Sequence, residues 1–439
     1  MNEDVFTDEL GISLKEGQEA KAVLVGAYSG GSQHVLCNEH LNELAALADT
    51  FGVPVLDKIA APLRKIDPAT YFSEGKLEEI RHTVKEKGAT LLIFDEEISP
   101  AQQRNLEKFF TVPVMDRTEL ILEIFAQRAQ TKEAKLQIEL AKTQYEFPRL
   151  KRLWSHFSRQ RASGGFLKGE GEKQIEIDRR LLKDKVAKLT AQLKEVQQHR
   201  KTQQEQRRKS QIPTFAIVGY TNAGKSTLLN ALTDANVLAE DKLFATLDPT
   251  TRKCTLPNNQ EVLLSDTVGF IRKLPHTLVA AFRSTLEAAL HDDVLLHLVD
   301  VSHPMVEEQI ETTNAILQEL NPERSPTILV LNKIDQCEDR KMIDRIRIKY
   351  EGRSIMVSAR RKEGFEELFD AMIQELASRC RRIHVKIPQS EYGLVTLLHR
   401  EGNVHFEKYE ENDVVMMADI PLALYHKFTA YDIAQEITD

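Results

Sequence analysis

Residues 1–132 alternate short apolar runs with amphipathic stretches. The apolar runs Ala22–Gly26, Thr90–Asp95 and Val112–Asp116 have the length and composition of buried strands. Between them, Glu39–Phe51 places leucines and alanines at positions i, i+3, i+4 and i+7, the spacing of one helix face. Because strands that alternate with helices form parallel sheets, the pattern predicts a parallel α/β domain.

Residues 133–210 have a heptad pattern instead. The seam positions in 136–154 are spaced 4, 3, 4, 3 and 4 apart, and those in 182–196 are spaced 4, 3, 4 and 3 apart. Two such seams separated by a glycine-rich stretch, 162–172, predict an antiparallel helical hairpin. We expect Pro148 to kink the first helix, because proline removes a backbone donor and crowds the preceding turn.

Residues 211–378 begin with a strand, a glycine loop and a helix. The apolar run Phe215–Val218 precedes Gly219–Ser226, which has the spacing G-x-x-x-x-G-K-S. In such a loop the glycines turn backbone N–H groups toward a phosphate, and the helix N-terminus adds partial positive charge. We expect Lys225 to reach the β- and γ-phosphates. The predicted nucleotide-binding residues of this loop are Gly219, Asn222, Ala223, Gly224, Lys225, Ser226 and Thr227.

Two further loops carry the side chains of a nucleotide switch. Thr246 is the predicted residue that closes on Mg²⁺ and the γ-phosphate, with Thr250 and Thr251 as alternatives. An apolar strand ends in D-x-x-G, where we expect Asp266 to hold Mg²⁺ through water and the Gly269 N–H to contact the γ-phosphate. The predicted catalytic residues are Lys225, Thr246 and Gly269, and the predicted metal-binding residues are Ser226, Thr246 and Asp266.

Phe270 stands where many GTPases have a water-orienting glutamine. An aromatic ring cannot polarise water, so we expect slow intrinsic hydrolysis that needs groups from a partner or from elsewhere in the chain. Arg252, Arg272 and Lys273 are close to this position in sequence. A pure packing role for Phe270 is equally compatible with the pattern.

A strand that ends in N-K-x-D predicts the choice of base. Asp335 can accept hydrogen bonds from the guanine N1–H and N2 amino groups, which adenine does not offer. We expect Asn332 to brace the base and the phosphate loop, and the stem of Lys333 to cover the ring. Ser358 and Ala359 are predicted to supply a backbone N–H for guanine O6. These loops together predict GTP and GDP as substrate and product.

Residues 379–439 contain four short apolar segments, each predicted to be a strand. They are Ile383–Ile387, Gly393–Leu398, Asn403–Phe406 and Asp413–Met417. The pattern predicts a small α/β or β-rich domain.

Composition narrows the class of protein. The chain has 439 residues, of which 41% are hydrophobic and 29% are charged, as is typical of a soluble protein of several domains. No apolar run approaches the roughly 20 residues of a membrane span, and the first residues lack a signal-peptide core. Four scattered cysteines favour a reducing compartment over a disulfide framework or a zinc site. We expect a cytoplasmic protein without a transmembrane segment, and a monomer.

Charge is distributed unevenly along the chain. Residues 149–210 contain 18 lysines and arginines against 7 acidic residues, a local net charge of +11 in a chain of net charge −8. Such a run is often only a solvated face. On a projecting hairpin with a glycine tip, however, it favours a phosphate backbone as partner. Trp154, Phe157 and Phe166 are interleaved with the basic residues and are candidates for stacking on unpaired bases, although packing suits Trp154 better.

Seven short segments match the sequence pattern of a known family. They are Tyr71–Glu79, Lys135–Glu139, Pro148–Leu150, Trp154–Gln160, Glu172–Arg180, Phe244–Arg252 and Asp266–Arg272. With the loops described above, they make nearly the whole chain resemble the HflX family of translational GTPases. One departure is the tip 164–172, where family members usually have a more basic stretch and this chain adds Glu170.

The resemblance implies a function and a partner. It implies binding to the bacterial ribosome, chiefly the 50S subunit and its RNA, and splitting or rescue of stalled 70S ribosomes with ribosome-stimulated, Mg²⁺-dependent GTP hydrolysis. It places the hairpin tip near the peptidyl transferase centre, and makes Thr246 the switch threonine. The alternative functions are a GTP-timed, RNA-binding ribosome-assembly factor and a signalling GTPase whose hairpin binds protein.

Overall fold

The computed structural model describes most of the chain. The described residues are 5–7, 13–15, 19–31, 33–149, 170–209, 212–233, 242–247, 250–275, 278, 293–320, 325–337, 339–350, 354–378, 380–410 and 412–433. Most of the predicted hairpin tip, including Phe166, lies outside the described residues, as do Trp154 and Phe157.

The N-terminal part is a parallel sheet with helices on both faces. Its strands are β3 (Ala22–Tyr28), β4 (Val55–Pro62), β5 (Leu91–Phe94) and β6 (Val114–Asp116), in the order β4-β3-β5-β6. Its helices are α1 (Gln33–Phe51), α2 (Glu74–Lys87), α3 (Pro100–Phe110) and α4 (Arg117–Arg128). An antiparallel pair, β1 (Val5–Thr7) and β2 (Ser13–Lys15), precedes the sheet. The predicted parallel α/β fold is confirmed.

Local sequence explains where two of these helices begin. Ser99 and Gln102 form a capping box at the start of α3, with Pro100 in the first turn. Asp116 caps α4 by accepting a hydrogen bond from the Glu119 N–H at 2.8 Å. Because the cap is the last residue of β6, α4 leaves the sheet without an intervening loop.

Two long helices form the predicted hairpin. They are α5 (Lys132–Glu146) and α6 (Glu170–Lys209). Lys185 forms an ion pair with Glu139 at 2.9 Å, and Arg179 lies 5.7 Å from the ring of Phe147. The later residue of α6, Lys185, thus contacts the earlier position 139, and the earlier residue, Arg179, contacts the later position 147. The two helices are therefore antiparallel. The α-helix ends before Pro148, which lies in a 3-10 turn over Phe147–Arg149.

The central part is a six-stranded sheet with helices around it. Its strands are β7 (Thr214–Gly219), β8 (Thr250–Thr255), β9 (Glu261–Asp266), β10 (Val294–Asp300), β11 (Thr327–Asn332) and β12 (Ser354–Met356), in the order β12-β11-β10-β7-β9-β8. Only the β8–β9 pairing among the described strands of this sheet is antiparallel. The helices are α7 (Lys225–Thr233), α8 (Val306–Leu320), α9 (Arg340–Lys349) and α10 (Phe365–Ala377).

The C-terminal part is a three-stranded antiparallel sheet with a helix on one face. Its elements are β13 (Cys380–Pro388), α11 (Tyr392–Glu401), β14 (Asn403–Tyr409) and β15 (Asp413–Pro421). The predicted strand Gly393–Leu398 is wrong, because these residues lie in α11. Val395 and Leu398, three residues apart, are both fully buried among side chains of the sheet. A short apolar run fits either period, and here packing against the sheet selects the helix.

The N-terminal and central parts share one hydrophobic core. Phe125 of α4 belongs to the same buried cluster as Phe244 and Phe270 of the central part. The multidomain α/β class is confirmed, whereas the boundaries 1–132, 133–210, 211–378 and 379–439 stay predictions. None of the helices that the structure describes combines the length and apolarity needed to cross a membrane.

Candidate functional site

The predicted loops gather at the carboxyl ends of the central parallel strands. Open α/β sheets bind their ligands at this edge. A cleft lies there, with walls formed by the loop after β7, the segment before β8 and the segment after β9. Among the predicted residues, it is lined by Asn222, Gly224, Lys225, Ser226, Thr227, Thr246 and Gly269.

Neighbouring atoms approach two glycines of the loop too closely to allow a side chain. A Cβ on Gly219 would lie 2.2 Å from the carbonyl oxygen of Leu298 on the neighbouring strand. Gly224 has φ +94°, and a Cβ there would lie 2.5 Å from Asn332 Nδ2. Both positions therefore exclude a side chain, and the loop curls closely against the sheet.

Lys225 is buried at the first position of α7. Its ammonium donates to the carbonyl oxygens of Tyr220 at 2.8 Å and Gly219 at 3.3 Å. Burial lowers the pKa of Lys225 to about 8, although the negative charge of Asp266 acts in the opposite direction. The loop thus holds the ammonium of Lys225 at the cleft through its own backbone.

Three side chains from three segments converge beside Lys225. Ser226 Oγ lies 2.7 Å from both Thr246 Oγ1 and Asp266 Oδ2. Burial raises the pKa of Asp266, and Lys225, Ser226 and Thr246 partly offset the effect. Asp266 Oδ1 is buried and has no hydrogen-bond partner among the described residues. A buried carboxylate oxygen that lacks a partner, beside two hydroxyls, fits the oxygen ligands that Mg²⁺ prefers.

Of the three threonines considered, Thr246 is the one whose side chain reaches this cluster. Thr251 lies on β8, and its hydroxyl is 3.1 Å from Ser265 Oγ. Thr250 begins β8, in register with Asp266.

The segment after Asp266 lies against the phosphate loop. A Cβ on Gly269 would lie 2.8 Å from Thr221 Cγ2 and 2.9 Å from Lys225 Nζ. The Phe270 N–H donates to Gly219 O at 3.1 Å, and Phe270 O accepts from the Thr221 N–H at 2.8 Å. These two bonds form an isolated parallel bridge, and the ring of Phe270 is buried.

The residues predicted to select the base are connected to the phosphate loop through Asn332. Its Nδ2 donates to Ala223 O at 2.8 Å, and its Oδ1 accepts from the Ala359 N–H at 3.0 Å. Asp335 Oδ1 accepts from Ser358 Oγ at 2.8 Å. Lys333 forms an ion pair with Asp300 at 2.7 Å. The structure thus brings together the phosphate loop and the loops after β11 and β12.

Sequence reasoning missed several residues at the cleft. Thr221, Lys242 and Thr267 also line it. Thr221 and Thr267 occupy variable positions of the two motifs, so only the loop geometry singles them out. The hydroxyl of Tyr220, another variable position, accepts from the Arg272 N–H at 2.8 Å.

Similarity to known proteins decides the family. The protein named GTPase HflX from Chlamydia pneumoniae is 48% identical over 421 residues, which cover 95% of this chain and 89% of that protein. The chain belongs to the HflX GTPase family. GTPase HflX from Escherichia coli (strain K12) is 41% identical over 400 residues, covering 89% of this chain and 93% of that protein.

Family models agree with this assignment. A "GTP-binding GTPase N-terminal" model matches residues 38–126, a "GTP-binding GTPase Middle Region" model matches 128–207, and a "50S ribosome-binding GTPase" model matches 214–333. A GTP-binding protein from the archaeon Sulfolobus solfataricus, solved in complex with GDP, is 25% identical to this chain. The alignment covers 82% of this chain and 99% of the archaeal protein, with a TM-score of 0.43. The sequence relatives, rather than this alignment, establish that the HflX-family chain is a GTPase that binds guanine nucleotides.

Proposed function

We propose that this HflX-family GTPase binds the large ribosomal subunit and uses Mg²⁺-dependent GTP hydrolysis to split or rescue stalled 70S ribosomes. The observation that carries the switch is that Ser226 Oγ lies 2.7 Å from both Thr246 Oγ1 and Asp266 Oδ2. It joins the phosphate loop to the two segments that a γ-phosphate orders in nucleotide switches. Loss of that phosphate would release both segments.

The chain's own groups suit phosphoryl transfer to water. Lys225, held by two carbonyl oxygens, would pair with the β- and γ-phosphates, and the Gly269 N–H, in a residue that also lines the cleft, would contact the γ-phosphate. Ser226, Thr246 and Asp266 are the residues that would hold Mg²⁺, directly or through water. When bound, Mg²⁺ neutralises charge on the β- and γ-phosphates.

Guanine selection is assigned to the loops after β11 and β12. Asp335 accepts the two donors of the guanine edge, with its carboxylate oriented by Ser358. Asn332 holds the base loop and the phosphate loop at a fixed separation, since it bonds to Ala223 and Ala359 at once. The stem of Lys333 covers the ring, and the Ala359 segment serves guanine O6.

Hydrolysis is expected to depend on a partner. Phe270 is buried and bridged to the phosphate loop, so its side chain offers no polar group to an attacking water. Arg272 is the basic residue nearest to Phe270 in sequence that could stabilise charge on the phosphates. Its guanidinium is already bound to Asp95, at 2.8 and 2.9 Å. A group from the ribosome would then complete the site.

The helical hairpin supplies the surface for the ribosome. Arg179, Arg180, Lys183, Lys185 and Lys188 are exposed along α6. They belong to the segment of net charge +11, which suits the phosphate backbone of RNA. The family model over the central part is named for 50S binding, in agreement with this partner.

The decisive experiment measures GTP turnover with and without purified 50S and 70S particles. We expect stimulation by both, and sedimentation of 70S particles to shift toward subunits with a non-hydrolysable GTP analogue but not with GDP. Unchanged turnover at saturating particles would refute the ribosomal partner. Stimulation by 50S particles with intact 70S profiles would instead support the ribosome-assembly function.

A matched pair of variants tests the hairpin. Lys183→Gln with Lys188→Gln on α6 should lower the ribosome-stimulated rate and its salt dependence, while turnover without ribosomes stays unchanged. The control is Lys85→Gln with Lys87→Gln, the same change of charge on α2. Equal losses in both double variants would show that overall charge, rather than the hairpin, is responsible.

A further inference from the structure

A buried ion-pair cluster joins the N-terminal sheet to the segment just after Gly269. Asp95 follows β5 and is 2% exposed. Its carboxylate accepts from Arg272 Nη2 at 2.8 and 2.9 Å and from Arg117 Nη1 at 3.0 Å. Arg117 Nε also donates to the backbone oxygen of Arg272 at 3.2 Å. Both the side chain and the backbone of Arg272 are therefore held by the N-terminal part.

Glu43 of α1 extends the cluster to the phosphate loop. It forms an ion pair with Arg117 and accepts a hydrogen bond from the Tyr220 hydroxyl at 2.5 Å. The same hydroxyl accepts from the Arg272 N–H at 2.8 Å. Lys273 completes the cluster, at 3.3 Å from Asp95 and 2.6 Å from Glu96. Three acidic and three basic side chains are thus balanced, so no charge is buried without a partner.

The place of this cluster in the N-terminal sheet is informative. In the order β4-β3-β5-β6 the chain crosses from one side of β3 to the other between β4 and β5. The crevice at the carboxyl ends of β3 and β5 is the position where open α/β sheets bind ligands. Here Arg272 and Lys273 of the GTPase part occupy the Asp95 side of that crevice.

A second contact reaches the other switch segment. Phe125, on the same helix as Arg117, packs edge-on against Phe244 with ring centroids 4.5 Å apart. Both rings are at most 2% exposed. Phe244 lies two residues before Thr246, whose hydroxyl is in the oxygen cluster of the cleft. One helix, α4, therefore contacts both segments that close on the nucleotide.

We propose that the crevice at Asp95 and the α4 face of Arg117 and Phe125 form a receptor for the two switch segments in their closed, triphosphate conformation. Asp95, Arg117 and Phe125 are then positioning residues that act through Arg272 and Phe244. The proposal rests on the proposed roles of Thr246 and Gly269. By linkage, docking of the N-terminal part favours GTP, and GTP favours docking, by the same factor.

Arg272→Gln tests the receptor. We expect at least tenfold weaker binding of a non-hydrolysable GTP analogue, with GDP affinity changed less than twofold, because only the triphosphate form closes on the receptor. The matched control is Arg252→Gln, the same substitution at an exposed position on β8. Equal weakening for both nucleotides, or no weakening for either, would overturn the proposal.

Two further variants separate the possible causes. Glu308→Ala removes the contact with His40 at 3.1 Å, which joins the same two parts through α1 and α8. If it weakens analogue binding as much as Arg272→Gln does, general loosening explains the effect and the receptor is refuted. Thr246→Ala tests the underlying switch. A selective loss of analogue affinity in Thr246→Ala, without one in Arg272→Gln, would refute the receptor and leave the proposed function intact.

Hydrogen exchange on the unaltered protein provides a test that no folding defect can confound. Amide exchange in α4 and at residues 270–273 should be slower with the GTP analogue than with GDP, by at least tenfold in the slowest amides. Amides of the C-terminal sheet serve as the internal control and should not differ. Identical exchange in α4 with both nucleotides would overturn the proposal.

Discussion

A single methyl group at Gly224 should strain the phosphate loop, at a cost to folding stability or to nucleotide affinity. The residue has φ +94°, and a Cβ there would meet Asn332 Nδ2 at 2.5 Å, well inside van der Waals contact. Asn332 cannot retreat freely, because that nitrogen donates to Ala223 O at 2.8 Å and its oxygen accepts from the Ala359 N–H at 3.0 Å. Gly224→Ala therefore strains the backbone and disturbs the brace between the two loops.

The cost follows from these two terms. A non-glycine residue in a sparsely populated region of positive φ costs about 1–3 kcal/mol, and the lost hydrogen bond of Asn332 costs about 1 kcal/mol. The sum is about 2–4 kcal/mol. If the loop keeps its shape, the cost appears as reduced folding stability. If the loop relaxes, it appears as nucleotide affinity weakened between about 30-fold and about 700-fold, at about 1.4 kcal/mol for each factor of ten.

Both quantities can be measured on one preparation. GDP affinity is obtained by titration with a fluorescent GDP, and stability by denaturant unfolding of the nucleotide-free protein. The control is Gly75→Ala in α2, where an added Cβ meets nothing within 4 Å and stability should rise slightly. If Gly224→Ala changes affinity and stability together by less than about 1 kcal/mol, which is below the strain term alone, the described loop geometry is wrong.

Three further predictions concern other groups. Asp335→Asn should shift preference from guanine to xanthine nucleotides, because an amide cannot accept both guanine donors. Competition binding measures the two affinities, and an unchanged GTP affinity would refute the assignment. Ser226→Ala should abolish the loss of GTP affinity that EDTA causes in the unaltered protein, because the hydroxyl shared with Thr246 and Asp266 is removed. Burial and the nearby negative charges of Asp95 and Glu96 raise the pKa of the Cys37 thiol to about 11. Its alkylation should accordingly be slow at pH 8 and rise about tenfold per pH unit toward pH 10, as mass spectrometry can follow; a rate equal to that of a free cysteine would contradict the burial.

The gathering of the motif loops at one cleft was predictable because each motif is local in sequence. Each motif follows a strand, and parallel strands bring their carboxyl ends to one edge of a sheet. Asn332 and Ala223 are 109 positions apart, yet their contact could be anticipated. Each belongs to a loop that follows a parallel strand, and both loops lie at the same edge of the sheet. The sequence left two alternatives for the threonine that enters the cleft. Thr246 was the predicted residue, and Thr250 and Thr251 remained alternatives that the structure instead places on β8.

The interface between the parts could not be predicted in this way. Asp95 ends the predicted strand Thr90–Asp95, but its partner Arg272 is 177 positions away and belongs to no motif that implies an acidic neighbour. Helical periodicity marks the buried face of a helix without saying what covers it, so Phe125 gave no sign of Phe244. The strand expected at Gly393–Leu398 failed for a related reason. Its run is too short to distinguish the two periods, and the sheet it packs against decides.

The position of α4 connects the cleft to the basic hairpin by direct packing. Arg117 at its start holds Arg272, and Phe125 near its end packs on Phe244. Helix α4 also packs against α5, the first helix of the hairpin. Ile138 and Ala141 of α5 are buried in the same hydrophobic cluster as residues of α4. Packed helices shift as units rather than deform, because interiors are close-packed. A change in the position of the switch segments therefore has a contiguous route, through one helix, to the arm that carries the positive charge.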